Sequence, residues 1–148
     1  YRTVYFGYTY CPDVCPVDLQ RIMQAFAQFE KAAPERAAKV QPILISVDPA
    51  RDTPAVLKTY VAAFHPRLIG LTGTPDQIAK VAKDFVVIYN SEKVAGASDY
   101  LVGHSRTPYL FDPDGKPVAL VPVDDPGMPD VDEGAPDKVL AFLQKSIK

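Results

Sequence analysis

Residues 40–47 (Val40-Gln41-Pro42-Ile43-Leu44-Ile45-Ser46-Val47) run through apolar side chains with little interruption. A strand with one wet face alternates apolar and polar residues. A run without alternation suits a strand covered on both faces, the place of a central strand in a parallel sheet. Parallel neighbours are joined by crossovers, usually helical, and the flanking sequence supplies them. Residues 1–8 read as a second buried strand, rich in aromatic and β-branched side chains. A helix follows from about Pro16, with Leu19, Ile22, Met23 and Phe26 spaced as one apolar stripe. Thr53-Pro54 offers a cap and then a proline at the first helical position. Leu57, Tyr60, Val61 and Phe64 form the stripe behind it.

Thr74-Pro75-Asp76-Gln77 has the spacing of a capping box, and Ile78, Val81, Ala82 and Phe85 continue that helix. Short strands fit residues 68–71 and 86–89. Residues 109–112 and 116–121 flank Asp112-Pro113-Asp114-Gly115, a turn in which Pro presets φ and Gly accepts a left-handed conformation. They are predicted to form a β-hairpin, with Pro117 keeping its second strand near an edge. A last helix is predicted from about Pro136, with Val139, Leu140, Phe142, Leu143 and Ile147 apolar. This order predicts an α/β domain with a mixed central sheet flanked by helices. A thioredoxin-like sheet has that arrangement, and residues 1–148 read as one such domain.

With 148 residues and a net charge of −2, the chain is long enough to build its own core. That near-neutral charge argues against a generic nucleic-acid binder, which needs a basic face to displace counterions. No run approaches the ~20 apolar residues of a membrane span. The chain opens at Tyr1 directly in a strand pattern, so it reads as an excised or processed domain whose upstream part has room for a signal or anchor. Prolines are frequent, 15 in all, and mark helix starts and rigid turns.

Only two cysteines occur, too few for a disulfide scaffold. They lie together in Cys11-Pro12-Asp13-Val14-Cys15-Pro16, where the first strand hands over to the first helix. Residues four apart share a face of a helical turn. At ~1.5 Å rise per residue their Cα atoms lie roughly 6 Å apart, within the range a disulfide permits. The pair can therefore oxidise, or hold a metal between two sulfurs. Pro16 cannot lie deep in a helix, so residues 11–15 are predicted as a lead-in turn with the regular helix starting near Pro16. Unpaired amides at that end favour thiolate over thiol. The plainer alternative is two buried cysteines packing as small hydrophobes.

Of the two histidines, His65 stands at a helix end, where a surface or C-terminal role is expected. His104, 89 residues beyond Cys15 in the chain, is either a hydrogen-bonded core residue or a ligand. Two thiolates and one imidazole would suit Cu(I) and, with one more ligand, Zn(II) or Cu(II).

The segment from Tyr5 to Pro16 (Tyr5-Phe6-Gly7-Tyr8-Thr9-Tyr10-Cys11-Pro12-Asp13-Val14-Cys15-Pro16) resembles the signature of the Sco/SenC copper chaperones. Four more blocks resemble that family in order. They are Ile45-Ser46-Val47-Asp48-Pro49-Ala50-Arg51-Asp52-Thr53-Pro54, Leu68-Ile69-Gly70-Leu71-Thr72-Gly73-Thr74, Asp99-Tyr100-Leu101-Val102-Gly103-His104 and Tyr109-Leu110-Phe111-Asp112-Pro113-Asp114-Gly115. The resemblance implies a thioredoxin-like fold and a copper site of Cys11, Cys15 and His104, serving both Cu(I) and Cu(II). It implies delivery of copper to, or reduction of the cysteines of, the binuclear copper centre of cytochrome c oxidase. The implied partners are the subunit carrying that centre, other copper chaperones and thioredoxin-like reductants. The implied place is the bacterial periplasm, anchored to the inner membrane, or the mitochondrial intermembrane space.

Three features depart from the family pattern. Gly103 stands where Asp often precedes the histidine, leaving Asp99 or a backbone carbonyl to orient the ring. Thr107-Pro108 precedes the hairpin strand, where a cis bond is predicted, as thioredoxins carry facing their cysteines. Residues 124–137 carry six acidic side chains and no basic one, either a solvated loop or a docking surface for a basic partner. The competing function is a periplasmic thiol–disulfide oxidoreductase, in which Cys11 and Cys15 form a redox-active pair, one attacking and one resolving. A peroxiredoxin fits less well, since Thr9 stands two residues before Cys11 rather than three.

Overall fold

The computed structural model describes residues 1–10, 14–86, 89–93, 100–104, 108–124 and 130–148. The elements in chain order are β1 (Arg2–Gly7), α1 (Val14–Ala32), α2 (Pro34–Ala37), β2 (Gln41–Ser46), α3 (Pro54–Ala62), β3 (Ile69–Leu71), α4 (Pro75–Asp84), β4 (Tyr89–Lys93), β5 (Tyr100–His104), β6 (Tyr109–Phe111), β7 (Pro117–Leu120) and α5 (Pro136–Ser146). Five strands form one mixed sheet in the order β3-β2-β1-β6-β7, and β4 and β5 form a separate two-stranded sheet. The central strand is β1. It runs parallel to β2 from Arg2↔Gln41 to Gly7↔Ser46 and antiparallel to β6. The expected mixed sheet flanked by helices is present.

Successive residues of β1 serve opposite faces, as strand geometry requires. The Tyr5 hydroxyl donates to Asp18 of α1 at 3.2 Å, whereas the Phe6 ring meets Phe85, just past α4, edge-on at 5.4 Å. Both faces are covered, and residues 3–7 are all buried. The stripe of α1 is buried at Leu19, Ile22, Met23, Phe26 and Phe29, and α5 packs against α1 with Val139 and Leu143 buried. Each such side chain contributes roughly 1.5–3 kcal/mol by leaving water.

The helix starts behave as their caps predict. Thr53 accepts from the Val56 amide ahead of α3, and Thr74 and Gln77 complete a reciprocal capping box ahead of α4. The turn before β7 has Gly115 at φ +82°, and Pro117 opens the outermost strand, where its missing N–H costs no ladder bond.

Several expectations are corrected. Helix α1 begins at Val14, so Cys15 lies inside its first turn and Pro16 is its third residue. The first-turn amides have no intrahelical partner, so a proline there forfeits nothing. Of the expected strand over residues 86–89, Tyr89 opens β4, and residues 87 and 88 lie outside the described residues. Val86 instead occupies an exposed turn after α4 with φ +56°. Residues 100–104 form β5, and residues 34–37 form the short helix α2; neither is apparent from periodicity. The Thr107–Pro108 bond and Asp99 lie outside the described residues.

His65 is buried rather than at the surface, 7% exposed. Its Nδ1 accepts the Arg67 amide at 3.1 Å, which assigns the proton to Nε2, donating to Glu30 Oε2 at 2.9 Å. Arg67 also pairs with Glu30 and lies over the Phe26 ring. Described residues of the acidic 124–137 segment are partly tied down, because Asp132 pairs with Arg21 of α1 at 2.8 Å.

Candidate metal centre

The site is approached along β1. After Gly7 the ladder with β2 ends, and residues 8–10 carry the chain toward Cys11. Tyr8 is buried, whereas Tyr10 is 53% exposed. This short segment is gripped by the loop that follows β2. The Asp52 carboxylate, fully buried, accepts the Thr9 amide at 3.1 Å and the Thr9 hydroxyl at 2.5 Å. It also accepts the Ser46 hydroxyl at 2.6 Å. Ser46 Oγ in turn accepts the Asp48 amide at 3.0 Å.

Next to Asp52, Arg51 is ion-paired to Asp48 at 2.5 Å, with its guanidinium 4.4 Å from the centroid of the Tyr10 ring and 5.9 Å from that of Tyr8. Cation–π contacts of this kind fix the side chains that precede the cysteine motif. Charges this close to a strand end are held only because each has a partner.

Of the three candidate ligands, Cys15 is the second residue of α1. Its backbone amide is among those a helix leaves unsatisfied at its N-terminus, the end that favours a nearby anion. His104 closes β5 and is the register partner of Tyr89. Cys11, and the side chains of all three, lie outside the described residues. Among the described residues no group of three or more His, Cys, Asp and Glu side chains is placed to hold a metal ion. His65 is committed to Glu30 and Arg67.

Asp52, Ser46, Thr9 and Arg51 are missed when the sequence is read for ligands alone. The available signal is two acids and an arginine, Asp48, Arg51 and Asp52, directly after the buried run of β2. Charges that follow a fully covered strand within a few residues need partners, and the nearest chain is the exit of its neighbouring strand.

No helix among the described residues is long and apolar enough to cross a membrane. Comparison with known proteins aligns the chain with several relatives. "Protein SCO2 homolog, mitochondrial" of Bos taurus is 46% identical over 112 residues, covering 76% of this chain and 41% of that protein. "Protein SCO2, mitochondrial" of Saccharomyces cerevisiae is 44% identical over 117 residues, covering 78% of this chain and 38% of that protein. The chain thus spans about two fifths of the length of these relatives. Among solved structures, ScoI of Bradyrhizobium japonicum with copper bound superposes with a TM-score of 0.81 at 36% identity, covering 99% of this chain and 84% of that one. ScoI of Arabidopsis thaliana with copper bound gives 0.82 at 36% identity, covering 98% and 82%. The SCO1/SenC family matches residues 1–131. With the five-stranded sheet, the strand-to-helix cysteine motif and this match in agreement, the chain belongs to the SCO1/SenC family.

Proposed function

We propose that this chain is a copper-binding metallochaperone that delivers copper to, or reduces the cysteines of, the binuclear copper centre of cytochrome c oxidase. Residues 1–148 act as one thioredoxin-like unit. In this reading Cys11 and Cys15 bind the cargo as thiolates and His104 adds a neutral nitrogen. The observation that carries it is the likeness, over 99% of the chain, to a ScoI with copper bound. The donor chemistry supports it: two soft thiolates suffice for Cu(I), and the imidazole adds the nitrogen that Cu(II) prefers. The partner class is the oxidase subunit that carries the copper centre, together with upstream copper donors. The compartment in this reading is the bacterial periplasm at the inner membrane, or the mitochondrial intermembrane space, since the aligned SCO2 relatives are mitochondrial.

The test is a titration of the reduced protein with Cu(I) and Cu(II), followed by absorbance and repeated on Cys11→Ser, Cys15→Ser and His104→Ala. One equivalent should bind, either cysteine variant should abolish tight uptake, and His104→Ala should weaken Cu(II) more than Cu(I). Binding should release protons and weaken in acid, because thiolate and imidazole must both shed theirs. Equal uptake by all four proteins would overturn the reading. A mixed disulfide trapped through one cysteine variant, with no copper complex, would transfer the site to thiol–disulfide exchange.

A further inference from the structure

Asp52 has no exposed surface and is not one of the copper ligands. Its two oxygens nevertheless take three donors from two segments, Thr9 beyond β1 and Ser46 at the end of β2, while Asp52 itself precedes the cap of α3. The β1–β2 ladder does not need it, because backbone pairing already runs to Gly7↔Ser46. Thr9 lies two residues past that last pair and two residues before Cys11. The carboxylate therefore acts on the stretch of chain that enters the cysteine motif. Arg51, stacked on Tyr10 and tied to Asp48, holds the next residue from the same loop.

We propose that Asp52 is a positioning residue for the dithiol: through Thr9 it fixes the chain entering Cys11, so that the two sulfurs meet copper in a single arrangement. This rests on the copper-site reading above. The requirement is for hydrogen bonds rather than for charge. An asparagine can reproduce them, its oxygen accepting the Thr9 amide and the Ser46 hydroxyl while its NH2 group donates to a rotated Thr9 hydroxyl. An alanine cannot.

The experiment compares Asp52→Ala, Asp52→Asn and Thr9→Val with the parent, each well below its own melting temperature. Three readouts are taken: the Cu(II)–thiolate absorption band, Cu(II) affinity by competition, and the midpoint potential of the Cys11–Cys15 couple against glutathione. Asp52→Ala should shift the band, move the potential and weaken Cu(II) by roughly tenfold or more, the scale typical of residues that orient ligands. Thr9→Val keeps the volume, removes one donor and should fall between. Asp52→Asn should restore parental behaviour. Should Asp52→Ala prove unfolded, Thr9→Val and Asp52→Asn decide the matter.

Variants that melt earlier yet keep the parental band, affinity and potential would overturn the proposal and leave Asp52 a purely structural brace. Equal damage in Asp52→Asn and Asp52→Ala would overturn it too, because charge would then be what matters. If the parent takes up no copper through Cys11 and Cys15, the copper reading falls by itself, and the midpoint potential alone decides the role of Asp52.

Discussion

His65 and Glu30 meet at 2.9 Å across the ends of α3 and α1, with the far side of the imidazole accepting the Arg67 amide. Both ring nitrogens are thus engaged, and the ring is 7% exposed. This is a structural histidine, whereas His104 is the proposed ligand. His65→Ala should cost roughly 1–3 kcal/mol through groups left without partners, while copper uptake per folded molecule stays unchanged. His104→Ala should do the reverse. Urea denaturation alongside a Cu(II) titration on both variants checks the assignment, and exchanged phenotypes would refute it.

The capping box at α4 gives a sharper local expectation. Thr74 accepts the Gln77 amide at 3.2 Å and Gln77 returns the contact to the Thr74 amide at 2.9 Å. Thr74→Ala should lower stability by about 1 kcal/mol and Thr74→Ser by much less. Thermal melts of the two variants suffice to compare them.

Val86 has φ +56° and is 81% exposed. A β-branched side chain in the left-handed region is strained by roughly 1–2 kcal/mol, and this one gains little by burial in return. Glycine is the ordinary residue just past a helix end. Val86→Gly should therefore raise the melting temperature, by about 2–4 °C per kcal/mol regained. A lower melting temperature would show that the unfolded chain's extra freedom with glycine outweighs the relieved strain.

Two glycines are fixed by close approach, and they should differ in cost. A Cβ on Gly134 would lie 2.6 Å from the Asp124 amide nitrogen, which is backbone and cannot swing aside. A Cβ on Gly70 would lie 3.0 Å from Leu57 Cβ and 3.2 Å from Val61 Cγ1, contacts between β3 and α3 that can yield slightly. Gly134→Ala should exceed Gly70→Ala in destabilisation, within the ~1–3 kcal/mol typical of overpacking. Chemical denaturation of both orders them.

Where local chemistry decides the outcome, the sequence is a sufficient guide. The unbroken apolar run of β2, the caps Thr53 and Thr74 and the Asp112–Gly115 turn each carry their own cause. The elements that escape it are decided by partners. Strand β4, Tyr-Asn-Ser-Glu-Lys, is mostly polar and becomes a strand only by pairing with β5, whose register Tyr89↔His104 no local pattern announces. The start of α1 escapes because Pro16 looks like a boundary, yet its missing amide falls in the one turn that has no use for it. The candidate ligands are legible as Cys11, Cys15 and His104, whereas the Thr9–Asp52 grip joins residues 43 apart and only the folded chain reveals it.

In the proposed copper reading, the separate β4–β5 ribbon would divide the labour of holding and letting go. Cys15 rides on a helix packed into the core, while His104 belongs to a two-stranded sheet of five residue pairs, a unit that has little independent stability. On that reading, release of His104 as nitrogen donor would proceed by local fraying of the ribbon, at a small fraction of the free energy that opening the central sheet demands. Amide protons at 89–93 and 100–104 should exchange with deuterium well before those of β1, and copper should slow the ribbon's exchange far more than that of the central sheet.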